Sequence, residues 1–369
     1  MYFKRRHFLQ TLSSAMAAVQ LPLWAQTTNT ISPTEFAPKA GQWRTFDVTT
    51  RVDILKKTGT TRVWLPVPSL NTAWQKTLAN SHSSNGNTRI HKDVFEGTLM
   101  LFSEFDATVD KPYVEITSRV VTQNRSWEQS EPFKSEHPNA LKHFTRSTQL
   151  IPTDGIVKTT ALQITQSAKT EVDKVRAIYD WVVLHAWREP KVKGCGEGDV
   201  QTMLESGNLG GKCADINALF VGLCRAVGIP ARDVYGLRLA PSAFGYKELS
   251  GKPEKLQSAQ HCRAEVYLND KGWVAMDPAD VAKVMRQETP EWLRSPEHAV
   301  VNPVYKGLFG GWEGNWMGFN TAHDLALPQF SRKRISFLMY PIAEDDEGRM
   351  DSYSPDDFQY RITSKEINS

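Results

Sequence analysis

GGKCADINALFVGLCRAVGIPAR, residues 210–232, decides the fold. After Cys213 the apolar residues Ile216, Leu219, Phe220, Leu223 and Val227 recur with a helical period and make one buried stripe. Gly228 and Pro230 end the helix, the glycine as a C-cap and the proline as a residue that cannot continue it. Cys213 therefore opens a buried helix, directly after a glycine turn. The positive end of the helix dipole favours thiolate there. Free backbone N–H groups at the same place can hold an oxyanion. A cysteine nucleophile needs both.

Working outward, HCRAEVYLNDKGWVAMDPAD, residues 261–280, supplies an imidazole and a carboxylate. Residues 261–268 alternate as a strand. Cys262, Ala264, Val266 and Leu268 share a core face, and His261, Arg263, Glu265 and Tyr267 share a face that lines a cleft or meets solvent. Residues 272–277 form the return strand. For His261 and Asp277 to share a face, paired residue numbers must sum to an even value. That requires an odd loop, for example Asn269-Asp270-Lys271 with Gly272 as a bulge, or an equivalent bulge elsewhere. Pairing 263 with 277 then sets Asp277 diagonal to His261, within side-chain reach.

A thiol, an imidazole and a carboxylate in the order Cys, His, Asp can form a triad. At these blocks (GGKCAD, LFVGLCRAVGIPARDVYG, HCRAEVY and GWVAMDPAD) the chain resembles the transglutaminase-like superfamily, a branch of the papain-like cysteine enzymes. The resemblance covers roughly residues 150–330. It implies an α+β fold with a papain/transglutaminase-like catalytic core. It also implies Cys213 as nucleophile, His261 as base and Asp277 as orienting acid. In relatives a tryptophan N–H before the nucleophile can help hold the oxyanion. Trp187, beside the loop WREPKVKGCGEGD, is the candidate here, against core packing as the plainer role. Cys262 departs from the pattern, since many relatives carry a small residue after the histidine. The implied chemistry is acyl transfer at amide bonds of a peptide or protein, through a thioester. Water as acceptor gives a peptidase or amidase, the expectation here, and a lysine amine gives a cross-linking transglutaminase. A catalytically weak binding module on the same fold is the alternative from another class.

The rest of the chain frames this core. Of 369 residues, 40% are hydrophobic and 23% charged, which suits two ordinary globular domains. Residues 1–25 read as a twin-arginine export signal, with Arg5-Arg6 before a weakly apolar run, and imply a periplasmic protein. The formal charge of +3 vanishes once Lys4, Arg5 and Arg6 are removed, so no basic surplus points to nucleic acid. No apolar run is long enough for a stable membrane span. Residues 26–40 read as a linker and 41–127 as a small β-sandwich, with alternation at Phe46–Val52, Val63–Val67, Leu99–Leu101 and Val114–Val120. Its expected role is a scaffold that frames one wall of the cleft. A crossover, 128–152, leads to the catalytic domain, 153–330, and to a C-terminal β extension, 331–369. In that extension Ile335–Tyr340 and Phe358–Ile362 read as strands, and the acidic run 344–347 as a solvated loop.

The glycine- and aromatic-rich segment LFGGWEGNWMGFNTAHD, residues 308–324, reads as a wall or lid over the cleft or as a loop buried on the core. Cys224 reads as inert packing and Cys262 as core; Cys195 is either a cleft thiol or half of a disulfide. No His/Cys cluster has zinc spacing and no glycine loop matches a phosphate or dinucleotide fingerprint, so the expectation is no metal and no cofactor. Oligomeric state is not legible.

Overall fold

The computed structural model describes residues 35–128, 135–331, 334–353 and 358–367. Residues 1–25, expected to be an export signal, lie outside them. Six strands come first: β1 Arg44–Asp53, β2 Thr61–Pro66, β3 Gln75–Ser84, β4 Asn87–Lys92, β5 Leu99–Phe105 and β6 Tyr113–Thr122. The middle of the chain holds α1 Pro138–His143, α2 Gly155–Ile164, α3 Glu171–His185, β7 Trp187–Arg188, α4 Val200–Ser206, β8 Gly210–Gly211 and α5 Cys213–Ala226. Then follow β9 Ala231–Arg238, β10 Gln260–Leu268, β11 Gly272–Met276, α6 Pro278–Gln287, α7 Asn302–Gly307 and β12 Trp316–Asn320. The last strands are β13 Ile342–Asp345, β14 Gly348–Arg349 and β15 Gln359–Ile367.

Two antiparallel sheets, ordered β15-β1-β6-β3 and β14-β13-β2-β5-β4, pack face to face. Their shared core is built by Val52, Val114 and Ile116 from one sheet and Val63, Leu65, Leu101 and Phe105 from the other. The alternation read from β1 is the buried pattern itself, with Phe46, Val48, Thr50 and Val52 all inward. Strands β3 and β4 escaped the sequence reading because QKTLANSHSS and NTRIHK are polar and largely exposed. They are held by pairing with β6 and β5 instead of by a buried face.

The C-terminal strands do not form a layer of their own. β15 pairs along the whole of β1, from Thr45↔Ile367 to Asp53↔Gln359, and β13 pairs with β2. They complete both sandwich sheets across some 300 residues of intervening chain, a partnership that local periodicity does not encode. Ile335–Tyr340 is irregular, with one bridge between Leu325 and Ile335. The acidic run is the β13–β14 hairpin, and Glu344 is buried and accepts from Ser331.

The middle of the chain is a helical layer against the sheet β11-β10-β9-β12. Helix α5 sits at its centre. The sequence suggested one buried stripe, yet every residue from Cys213 to Ala226 except Asp215 is buried. Small residues account for the difference: Ala214, Ala218 and Gly222 add no apolar stripe but let neighbours close in. A Cβ on Gly222 would meet Ile151 Cγ2 at 3.1 Å and Val200 Cγ1 at 3.3 Å. The 308–324 segment is core, since β12 pairs with β9 and both Trp312 and Trp316 are buried. Among the described residues no helix is long and apolar enough to cross a membrane.

Candidate active site

Each functional side chain is placed by the end of an element. Cys213 is the first residue of α5, and its helix start is locked by Asp215. The Asp215 carboxylate accepts from Lys212 N at 2.9 Å and from Glu197 N and Gly198 N, each at 2.9 Å. The 194–198 glycine loop is thereby pinned over the N-terminus of α5. Gly196 has φ +88°, and a Cβ there would lie 1.8 Å from Asp215 Oδ2, so glycine is required twice over. The loop in turn places Cys195, whose carbonyl accepts from Ala214 N at 2.9 Å.

His261 stands near the start of β10. Its carbonyl is held by Trp316 Nε1 at 2.9 Å. The β10–β11 hairpin has the odd three-residue loop: Ala264 pairs with Met276 and Leu268 with Gly272, which has φ +71°. That register carries Asp277 back to His261. His261 Nε2 lies 2.7 Å from Asp277 Oδ2. Asp277 also caps α6, its Oδ1 accepting from Asp280 N at 3.0 Å. With Nε2 on the acids, Nδ1 is left for the thiol, and the His261 ring hydrogen-bonds Cys213.

Three residues that sequence reasoning passed over complete the arrangement. Asn217 is one turn along α5 from Cys213. Its Nδ2 donates to Cys262 O at 2.9 Å and reaches Asp277 Oδ1 at 3.4 Å, tying the helix to both strands. An asparagine inside an apolar helix was the available clue. Asp280 sets Oδ2 3.3 Å from His261 Nε2 and bonds Arg238 through Oδ1. The DPAD spacing, three residues apart in a first helical turn, was its clue. Arg263 lies buried between Trp312 and Trp316, with Nε 3.6 Å from Asp277 Oδ2. The β10 face that was to line a cleft is thus buried beyond His261, and Glu265 is closed off by Arg125 and Arg232.

Charge is polarised at the centre. Burial pushes the Cys213 thiol up, but hydrogen bonds from Cys195, Cys262 and His261 outweigh it and hold the thiol well below its usual value. Burial and Arg238 push His261 down, and Asp280 and Asp277 more than offset them, raising it to about 9. The pair therefore favours thiolate beside imidazolium. The Cys213 bond and burial raise Cys195; burial, then Cys213, raises Cys262. All four cysteines are free thiols. Cys262 is core, as its alternation predicts, and its thiol also hydrogen-bonds the Cys213 sulfur. Cys195, also against Cys213, accepts from Tyr340 Oη at 2.9 Å. Burial raises Cys224, which packs away from the site. Ligand atoms of His261, Asp277 and Asp280 lie within 4.8 Å of one another, close enough to share a cation. Arg238 and Arg263 already supply counter-charge to those carboxylates.

Cys213 and His261 both reach one cleft of about 320 Å³. Trp187 lies beside the cysteine turn. β7 pairs with β8, and the indole crosses Gly210 so closely that a Cβ there would fall 2.5 Å from Nε1.

The transglutaminase-like superfamily model matches residues 158–278, the span that carries all three triad positions. An uncharacterised protein of Haemophilus influenzae is 35% identical over 327 residues, covering 84% of this chain and 87% of that one. The uncharacterised protein YebA of Bacillus subtilis is 25% identical over 240 residues, 62% of this chain and 30% of that one. A solved structure from Cytophaga hutchinsonii, provisionally assigned as a cysteine protease, shares the fold with a TM-score of 0.50 at 16% identity, covering 89% of this chain and 99% of that one. The chain belongs to the transglutaminase-like superfamily, whose members are generally cysteine enzymes.

Proposed function

We propose that this chain is a cysteine hydrolase that cleaves amide bonds of peptide or protein substrates through a thioester, and that it works in the periplasm. The observation that supports the reading is the meeting of Cys213 and His261 at one cleft, with Asp277 bonded to His261 from behind and with the thiol held below and the imidazole above their ordinary values.

The Cys213 thiolate attacks the substrate carbonyl carbon and its π electrons move onto oxygen. The oxyanion forms at the N-terminus of α5. There Ala214 N is committed to Cys195 O, which leaves the Cys213 N–H as donor, with the Trp187 indole as the second candidate. His261 gives its proton to the leaving amine as the C–N bond breaks. The imidazole then takes a proton from water, the hydroxide attacks the thioester, and Cys213 leaves as thiolate. Asp277 holds the ring in one orientation throughout.

Cys213→Ala should abolish product while leaving the fold intact. Acceptor choice is read by offering an amine probe with an amide substrate: free acid as sole product supports hydrolysis, and probe incorporation supports transfer. N-terminal sequencing of exported protein tests the location; a mature chain still bearing Arg5 and Arg6 contradicts it.

A further inference from the structure

Whole-chain charge is nearly balanced, with 44 Lys and Arg against 41 Asp and Glu. The cleft is not. Six of its lining residues are Lys or Arg, and Glu248 is the one acid among them. Three of the cations are answered: Arg238 by Asp280, and Lys247 and Lys283 by Glu248. Arg188, Lys252 and Lys255 form no ion pair among the described residues. Arg188 spends one N–H on Gln287 Oε1, 3.1 Å away, and keeps its charge. Lys212, adjacent to Cys213, adds a further cation near Arg188, outside the six lining residues, and burial and then Arg188 push its pKa down.

The two outer lysines are held in place. The segment 239–259 between β9 and β10 is bonded to the body: Gly251 N to Ala240 O at 2.9 Å, Asn315 Nδ2 to Leu249 O at 3.0 Å, and Leu256 N to Ile362 O at 2.8 Å. Ser364 N reaches Pro253 O at 2.8 Å, so β15 of the sandwich supports the wall carrying Lys252 and Lys255. Beside them Gln260 is buried in the cleft wall.

The geometry points to a substrate class: amide substrates whose chain carries carboxylates next to the scissile bond, that is, acidic peptides. This rests on the proposed hydrolase reading and deepens it. Arg188 and Lys212 receive a carboxylate close to the thiol, and Lys252 and Lys255 receive one further out. The like charges are neutralised by such a substrate and repel a basic one.

Two measurements on the full chain test it. The first is binding of a glutamate-rich peptide and its glutamine counterpart to Cys213→Ala protein, which needs no turnover. The acidic peptide should bind at least about fivefold tighter, and the preference should shrink with added salt and in Lys252→Ala/Lys255→Ala. The second compares Cys213 alkylation by iodoacetate and by iodoacetamide. The anionic reagent should be favoured relative to free cysteine, and the double variant should lose that preference at an unchanged iodoacetamide rate. Equal binding of the two peptides, or a preference that ignores salt and both lysines, overturns the proposal. A cysteine inert to both reagents, with acidic preference kept in binding, overturns the hydrolase reading and leaves the charge selectivity standing.

Discussion

His261 Nε2 lies 3.3 Å from Asp280 Oδ2, so the imidazole faces a second carboxylate beyond Asp277. Asp280 is wholly buried and bonded to Arg238, and those charges, with His261, hold it well below the ordinary carboxylate range in spite of burial. Asp277, pushed up by burial and by Asp280, is the weaker anion of the two. Asp280 is a positioning residue that keeps His261 protonated through its charge. Asp280→Asn should lower the alkaline limb of the kcat profile to a pH below the wild-type value. It should also cost about 3–5 kcal/mol of stability, because Arg238 is left unpaired in the interior. Asp280→Glu should restore part of the pH limb. A stability loss with an unmoved limb means that Asp280 acts only as structure.

The pH dependence follows from the shifted pair. As pH rises, Cys213 ionises below the usual thiol value, and the proposed activity should appear there. As pH passes about 9, His261 loses its proton, and the proposed activity should fall. Cys195 and Cys262 stabilise the thiolate by hydrogen bonds, so Cys195→Ala and Cys262→Ala should each move the acid limb to higher pH. The profile of kcat/KM with a neutral substrate checks both signs.

Asn217 couples helix α5, which opens with Cys213, to the hairpin that carries His261 and Asp277. Asn217→Ala leaves Cys262 O and Ala279 N without their side-chain partner and should cost about 1–3 kcal/mol. Because Asp277 loses a neighbour as well, kcat should fall more than KM changes. Urea unfolding and steady-state kinetics on one preparation separate the two effects.

Trp187 is tested from two sides. Trp187→Phe keeps the ring and removes the N–H; a donor to the oxyanion predicts a fall in kcat of about 100-fold with KM little changed. Gly210→Ala would set a Cβ against the indole and should displace it with the same kinetic signature. If Trp187→Phe keeps full kcat, the indole is packing alone.

The site's outline was legible because its chemistry sits at element ends marked by local residues. Glycines flank Cys213, and Asn269-Asp270-Lys271 with Gly272 fixes the hairpin parity that returns Asp277 to His261. The sandwich alternation of β1, β2, β5 and β6 was legible for the same local reason. What stayed hidden depends on partners distant in sequence. β15 has the composition of any edge strand until β1 is beside it. Arg263 and Glu265 occupy alternate positions that read as cleft or solvent, and only Trp312, Trp316, Arg125 and Arg232 make their burial tolerable. The crowding of Cys195 and Cys262 on Cys213 arises from a loop and a strand 67 residues apart. No spacing rule joins them.

The central claim is that Cys213 and His261 form an activated thiolate–imidazolium pair at an open cleft. The most direct test is the rate of iodoacetamide alkylation of each cysteine from pH 5 to pH 9, read by peptide mass spectrometry. Cys213 should be modified at neutral pH much faster than a free thiol, Cys195 and Cys262 should lag far behind, and His261→Ala should remove the advantage. A Cys213 that reacts no faster than free cysteine, or with the same pH dependence after His261→Ala, would contradict it.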